Sequence, residues 1–370
     1  MLKDLKVLEL ASVLAGPSVG QFLAELGADV IKVESLRTGG DVTRTWKSSL
    51  EKTDDRSAYF SSVNWGKRSL AVDLTNQQGK DTIYKLVRKS DIVIASYKPG
   101  DAQKLGVDYD SIRALNPRII YGQITGYGSE DERVGYDAVI QAEAGYMSMN
   151  GEPGGRSLRM PVAVIDILAA HHLKEGILLS LIHRMQTGEG RYVEVSLIQA
   201  GVSSLANQAT NWLMTGLLPG KEGSSHPNIA PYGDSFTTSD GGELLLAVGN
   251  DKQFNDLCKI LGLSEIPHSP HFINNQARVQ NRQGLNKLIQ EKISDWTSQS
   301  LVAALRDFKI PAGLIYNLQQ VFSLKEAQAL ILQNGSAFGV RNYVGTSEPA
   351  TLSPPPHFGE HTLSIINSLD

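Results

Sequence analysis

Lys6-Val-Leu-Glu-Leu10, Ala11-Ser-Val-Leu-Ala-Gly-Pro17 and Asp29-Val-Ile-Lys-Val-Glu34 are the segments whose reading decides the fold. The first and last are short runs of aliphatic and β-branched residues, the pattern of buried strands. Between them the loop leads into a helix expected from about Ser18 and stopped by Gly27. Strand, helix and strand at this spacing form a βαβ unit, whose two strands run parallel. Its turn carries Gly16 and Gly20, but neither G-x-G-x-x-G nor G-K-[ST]. Glu34 ends the second strand, where a ribose-binding acid sits in dinucleotide folds; without the glycine fingerprint this is a weak argument for nicotinamide binding.

Outward from this unit, residues 34 to 64 make a long polar excursion carrying Arg37, Arg44, Trp46 and Lys47, and loops of this length usually serve a site or a partner. Asn64 to Asp73 turns into a strand. Thr75 is the expected N-cap of a helix with Ile83, Leu86 and Val87 on one face, and Asp91-Ile-Val-Ile-Ala95 is the next strand. Tyr97-Lys-Pro-Gly100 breaks the chain at that strand's carboxyl end. A helix ending near Asn116-Pro117 and a strand over Arg118 to Thr125 continue the alternation. The fold class expected is therefore α/β, a doubly wound parallel sheet whose ligands lie beyond the carboxyl ends of its strands. Those ends carry Leu14, Arg37, Tyr97, Lys98 and Gly126-Tyr-Gly128.

Composition limits the function classes. Hydrophobic residues make up 41% of the 370 and charged residues 20%, which are globular values, and a net charge of −4 gives no electrostatic footprint for nucleic acid. The longest apolar runs, such as Val162 to Ile165 and Glu243-Leu-Leu-Leu-Ala-Val248, are far below the roughly 18 to 20 residues of a membrane span. Met1 to Leu10 alternates charged and apolar residues and lacks a signal-peptide core, so a soluble cytoplasmic protein is expected. One cysteine, Cys258, excludes an intrachain disulfide and a multi-thiolate metal site, and its neighbours Leu257 and Ile260 mark it as core.

Pro161-Val-Ala-Val-Ile-Asp166-Ile-Leu-Ala-Ala170 places one carboxylate in an apolar run. Leu168, Leu173, Ile177, Leu178, Leu181 and Ile182 follow at helical spacing, so Asp166 is expected at or just before the start of a helix of four or five turns. The segment alone supports a partly buried N-cap, kept ionised by the helix dipole. A carboxylate near a helix start is also, in a dry pocket, a competent nucleophile towards an activated acyl group, although the segment by itself favours the cap. Rival constellations are missing: the chain has no G-x-S-x-G, no H-E-x-x-H and no P-loop. Pro270 between His268 and His271 argues against a helical metal face, and His171 and His172 read as helix residues near Asp166.

Further along, Thr187-Gly-Glu-Gly190 turns into Arg191-Tyr-Val-Glu-Val195, followed by a helix reaching about Thr215. Gly216 to Tyr232 holds three Gly and three Pro, the density of a linker. Asp234 to Thr238 and Glu243 to Val248 flank Ser239-Asp-Gly-Gly242, a hairpin signal that opens a second domain. Helices are expected at Gln253 to Leu261, Gly284 to Lys292 and Ser300 to Phe308. The tail Pro354-Pro-Pro-His-Phe-Gly-Glu-His361 is expected outside the core.

These segments, in order, resemble the family III CoA-transferases, the group that includes formyl-CoA transferase and carnitine CoA-transferase. The resemblance rests on Val7 to Pro17, Leu26 to Glu34, Gly40-Asp-Val-Thr-Arg44, Asn64 to Asp73 and Gly135-Tyr-Asp137 with Gln141-Ala142. It continues through the Asp166 segment, Thr187 to Gly190, His226 to Tyr232, Pro311-Ala-Gly313 and Gly359-Glu-His-Thr362. It implies that Asp166 is the catalytic nucleophile, passing through aspartyl anhydrides and an aspartyl-CoA thioester. It also implies CoA contacts at Val13, Leu14, Ala15, Arg37, Val72, Asp73, Tyr97, Lys98, Lys104, Tyr136 and Asp137. Acyl-CoA and a small carboxylic acid would be substrates, with no permanently bound cofactor, no metal and no nucleic-acid or membrane partner. The implied architecture is a large domain over 1–197, a linker over 198–232, a small α+β domain over 233–313 and a return over 314–370 that completes the large domain. Two such chains would interlock as rings.

Departures from the pattern narrow the reading. Formyl-CoA transferase has a Gln at the position of Leu14 and a Gly-rich loop at Gly223-Ser-Ser-His-Pro227, which argues against formate and oxalate chemistry; Arg37 is displaced by one residue from that enzyme's arginine. The related 2-methylacyl-CoA racemases normally carry a His at the position of Tyr136, so transfer is favoured over isomerisation. A catalytically silent CoA-binding protein is the third alternative.

Overall fold

The computed structural model describes residues 1–345 and 350–369. These divide into two compact units, one made of Met1–Tyr146, Arg159–Gly216 and Gln328–Asp370, the other of Met147–Leu158 and Leu217–Ala327.

The first unit is built on a six-stranded sheet: β1 (Lys6–Leu10), β2 (Asp29–Ser35), β3 (Lys67–Val72), β4 (Ile92–Ala95), β5 (Ile120–Thr125) and β6 (Tyr192–Ser196). The spatial order is β3-β2-β1-β4-β5-β6 and every pairing is parallel. β1 is the pivot, pairing Lys6 with Asp29 on one side and Val7 with Ile92 on the other. Alternation along each strand sends side chains to two cores. Val7, Ile92, Ile94 and Ile120 pack under the helices Ala15–Glu25 and Val164–Thr187 through Val19, Leu23, Leu173 and Ile177. Leu8, Leu70, Val93 and Tyr121 meet Ile83, Ile112 and Ile365 on the opposite face. The reversal of strand order falls between β1 and β4, so the crevice at their carboxyl ends is where a ligand is favoured.

Local details depart from the sequence reading for identifiable reasons. The first helix starts at Ala15, not Ser18, because Pro17 lies in the first turn, where a backbone N–H has no helical partner to lose. Thr75 gives its hydroxyl to Asp73, and Asn76 caps the following helix, Gln77–Val87, by accepting from Gly79 N. Gly20 serves packing: a Cβ there would stand 1.8 Å from Glu9 Oε2. The tail is not excluded from the core. Pro355 and Pro356 are buried, Arg44 donates to the Pro356 carbonyl, and His361 Nδ1 accepts from Ser69 N.

In the second unit β7 (Tyr232–Thr237), β8 (Glu243–Ala247) and β9 (Ala312–Leu314) form an antiparallel sheet. Helices Asp251–Ile260, Arg282–Ile293 and Ser298–Asp307 cover it, with Phe236, Leu244, Leu257, Cys258, Leu285 and Leu305 in the core. β10 (Ile331–Asn334) and β11 (Ala337–Val340) make a hairpin that belongs to the first unit. Among the described residues no helix is long and apolar enough to cross a membrane.

Candidate active site

A groove runs along the carboxyl ends of the first unit's strands. At one end a cavity of about 240 Å³ is lined by Val13, Leu14, Ala15, Tyr97, Lys98, Tyr136 and Asp166. At the other a cavity of about 340 Å³ is lined by Arg37, Val72, Asp73 and Tyr97. Tyr97 faces both, and Ser12, Ser35, Thr38 and Ser96 line the space between. Val13, Leu14, Ala15, Arg37, Val72, Asp73, Tyr97, Lys98 and Tyr136 therefore share one groove with Asp166; Arg37 and Lys98 are exposed at its rim.

 Of the eleven binding residues that the resemblance implies, nine lie along the groove and two, Lys104 and Asp137, do not line it. Lys104 is solvated and pairs with Asp101 at 3.1 Å. Asp137 is buried, and its carboxylate accepts from Ile165 N at 2.9 Å and Gln141 Nε2 at 2.7 Å.

Asp137 explains how the Asp166 helix begins. Helix Val164–Thr187 has Ala163 at its N-cap, with no side-chain cap of its own. Asp137, from 28 residues upstream, satisfies one of its open N–H groups instead. Asp166 is thus the third residue of the helix and not its cap, and only 8% of its surface is exposed. Among the described residues no hydrogen-bond donor reaches its carboxylate. Burial, and then the negative charge of Asp137, push its pKa up to about 7. The helix-start field expected to keep it ionised is outweighed by desolvation, so near neutrality the group is shared between acid and carboxylate.

The long 34–64 excursion brings one aromatic residue within electrostatic range of Asp166 and a second against the first. Tyr59 has its phenol pushed up to about 12, by burial first and then by Asp166, Asp137 and Asp41, and it meets Trp46 edge-on at 5.1 Å. Trp46 was visible only as part of a long loop, and nothing in the spacing of Tyr59 connects it with Asp166.

Beneath the groove lies a set of buried charges. Lys32 pairs with Glu9 at 3.1 Å and Asp41 at 2.9 Å, and Lys67 pairs with Glu9 at 2.7 Å. Burial disfavours the Lys32 ammonium, but Asp41, Glu9 and Glu34 outweigh it and raise the pKa above the usual lysine value. For Lys67 burial wins, and the pKa falls to about 8. Glu34 is committed to Arg44, receiving Nε at 2.8 Å and a terminal nitrogen at 2.7 Å. Both side chains are almost fully buried. An acid held this way is not free to bind a ribose, which removes the nicotinamide reading's single support. Asp54, Asp55 and His357 converge nearby, with Arg56 paired to Asp54, Arg44 to Asp55, and the His357 ring 2.6 Å from Asp55.

The comparisons with known proteins agree with this geometry. The chain matches CoA-transferase family III over residues 2–362. A succinate–glutarate CoA-transferase of Agrobacterium fabrum is 38% identical, over 100% of this chain and 96% of the relative. The human succinyl-CoA:glutarate CoA-transferase is 33% identical, over 100% of this chain and 86% of the relative. A CaiB/BaiF family protein from Brucella suis superposes with a TM-score of 0.89 at 39% identity, covering 100% of this chain and 99% of that one. With a doubly wound sheet, a groove at its switch point and a buried carboxylate at the groove's end, the chain belongs to CoA-transferase family III and is a CoA-transferase.

Proposed function

We propose that the enzyme moves CoA between carboxylic acids through covalent intermediates on Asp166, and that the donor and acceptor are dicarboxylic acids of the succinate and glutarate type. The observation that carries the mechanism is a buried carboxylate with no donor on it among the described residues, at the end of a groove long enough to be lined from Asp73 to Asp166. The acyl preference rests on the names of the relatives, and Leu14 on the groove wall fits a chain of methylenes better than formate.

The chemistry then needs no proton. An Asp166 oxygen attacks the thioester carbonyl, the C–S bond breaks, and CoA thiolate leaves an aspartyl anhydride. The thiolate attacks the aspartyl carbonyl, breaking its bond to the bridging oxygen, and releases the donor acid as a carboxylate. The aspartyl-CoA thioester is attacked by the acceptor carboxylate, regenerating thiolate and a second anhydride. Attack of the thiolate on the acceptor's carbonyl yields the new thioester and free Asp166. One negative charge enters and one leaves at every step, so the site's task is to orient, to stabilise each oxyanion and to exclude water. Burial of Asp166 serves the last of these. The nine groove residues are the CoA contacts of this reading, with the exposed Arg37 and Lys98 suited to phosphates.

Trapping tests the covalent step. Mixing with succinyl-CoA and then hydroxylamine or borohydride is expected to place the mass change on the peptide containing Asp166, with no label in Asp166→Ala. Exchange of the substrate α-proton with solvent deuterium and no adduct would instead establish a racemase.

We further propose a cytoplasmic homodimer, with the large domain over 1–197 and 314–370, the linker over 198–232 and the small domain over 233–313. In support, Leu178, Leu179, Ile182 and Met185 expose an apolar stripe on the Asp166 helix, and Trp212, Leu213 and Met214 are exposed on helix Ala206–Thr215. A stripe of this kind is unusual on a monomer's surface. Light scattering at micromolar concentration is expected to give twice the mass of 40.2 kDa, and a single-chain mass would overturn the dimer.

A further inference from the structure

We propose that Asp41 is a positioning residue for acyl-CoA: with Lys32 it clamps the strained turn Ala11–Val13 and so holds the groove wall that faces Asp166. The proposal rests on the groove being the CoA site.

Val13 has φ of 72°, in the left-handed region that a β-branched residue avoids. A backbone of this kind persists only where its surroundings over-determine it. Here they do so from below. The Val13 N–H points at the Asp41 carboxylate, 3.4 Å from Oδ1 and 3.3 Å from Oδ2. The Ala11 carbonyl accepts from Lys32 Nζ at 2.9 Å, and Lys32 and Asp41 are themselves paired at 2.9 Å. One buried ion pair therefore grips the polar groups on both sides of Ser12.

The clamp is itself fixed. Asp41 Oδ1 accepts from Thr43 N at 3.0 Å and Thr43 Oγ1 at 2.8 Å, Asp41 N donates to Glu34 Oε1 at 3.0 Å, and Lys32 is also held by Glu9. The side chains of Lys32 and Asp41 are each 1% exposed and lie at the floor of the groove between its two end cavities. Ser12, by contrast, is exposed, and Val13 and Leu14 line the groove. The helix that follows starts at Ala15 with no side-chain cap. Release of Val13 to a negative φ would turn the peptide between Ser12 and Val13 and re-aim Leu14 and the first amides of that helix. The ion pair is thus the element that converts a conformational cost into a preorganised wall.

A double-mutant cycle separates this role from simple support of the fold. Glycine takes a φ of 72° without strain, so in the Val13→Gly background the turn no longer depends on its clamp. Asp41→Ala is expected to raise the CoA dissociation constant, measured calorimetrically on the full chain, about tenfold with Val13 present and less than about threefold in the Val13→Gly background. Thermal unfolding is expected to fall in both backgrounds, because Lys32 loses a partner in each. Equal binding penalties in the two backgrounds overturn the proposal. If Asp41→Ala does not fold, Asp41→Asn carries the same test, with about a threefold penalty expected beside Val13 and none in the Val13→Gly background; equal penalties again overturn it. Failure of the unsubstituted chain to bind CoA overturns the groove reading, and this proposal with it.

Discussion

Asp166→Asn is expected to lower the turnover of CoA transfer by at least about 1000-fold, the scale on which enzymes lose activity when a covalent nucleophile is removed. The amide keeps the shape of the side chain and its place as third residue of the helix, so the loss reports chemistry and not folding. The same burial sets the pH profile of the unsubstituted enzyme. In the proposed mechanism the nucleophile is the carboxylate, and its pKa of about 7 is expected to make kcat/KM for acyl-CoA fall about tenfold per pH unit below neutrality and level off above it. A flat profile down to pH 5 would mean that Asp166 is ionised throughout and would remove desolvation as its governing feature.

Stability carries the opposite sign. The folded protein binds this proton more tightly than the unfolded chain, so the stabilisation is complete below pH 3.8 and is lost as pH rises towards about 7. Moving an acid's pKa from 3.8 to about 7 corresponds to on the order of 4 kcal/mol at pH 8. An unsatisfied amide in the same place costs about 1–3 kcal/mol, so the charge effect exceeds it. Asp166→Asn is therefore expected to raise the urea midpoint at pH 8 while giving no gain at pH 4. A midpoint unchanged or lowered at pH 8 would show that Asp166 is accommodated as a carboxylate at no cost.

Glu34→Ala is expected to cost about 3–5 kcal/mol, because it leaves the guanidinium of Arg44 buried without its bidentate partner. Arg44 would retain the Pro356 carbonyl and Asp55, while Ser69 Oγ and Asp41 N would also lose an acceptor. Burial works against the Glu34 charge, but Arg44 and Lys32 hold its pKa below the usual glutamate value, so the pair stays ionised at neutral pH. Glu34→Gln keeps the volume and one acceptor, and is expected to lie between the two. Urea denaturation of both variants checks this. A loss under about 1 kcal/mol for Glu34→Ala would mean that the acid is held for a ligand and not for the fold.

The alternating strands and helices of the first unit were legible from Lys6 onward, because strand period and helix period are local properties of neighbouring residues. So were Asp166 as the carboxylate to examine, and the groove end formed by Leu14, Tyr97 and Lys98, because a parallel sheet brings its strands' carboxyl ends to one edge; Tyr136 came from the family motif alone. Boundaries and caps were less legible. The partner that starts the Asp166 helix is Asp137, from another helix, and no capping signal near Ala163 could reveal it.

By itself the sequence determined a doubly wound sheet and, through the ordered family motifs, membership of CoA-transferase family III, and it singled out the aspartate proposed as nucleophile. Tertiary structure alone decided the state of that aspartate and the shape of the wall facing it. Glu9, Lys32 and Lys67 sit on three different strands, and Asp41 and Arg44 come from the short 3-10 turn Val42–Thr45 and its cap. The Pro356 carbonyl reaches Arg44 from 312 residues away. A buried charge takes its pKa and its role from whichever groups packing brings within a few ångströms, and that information is not carried by any short window of residues.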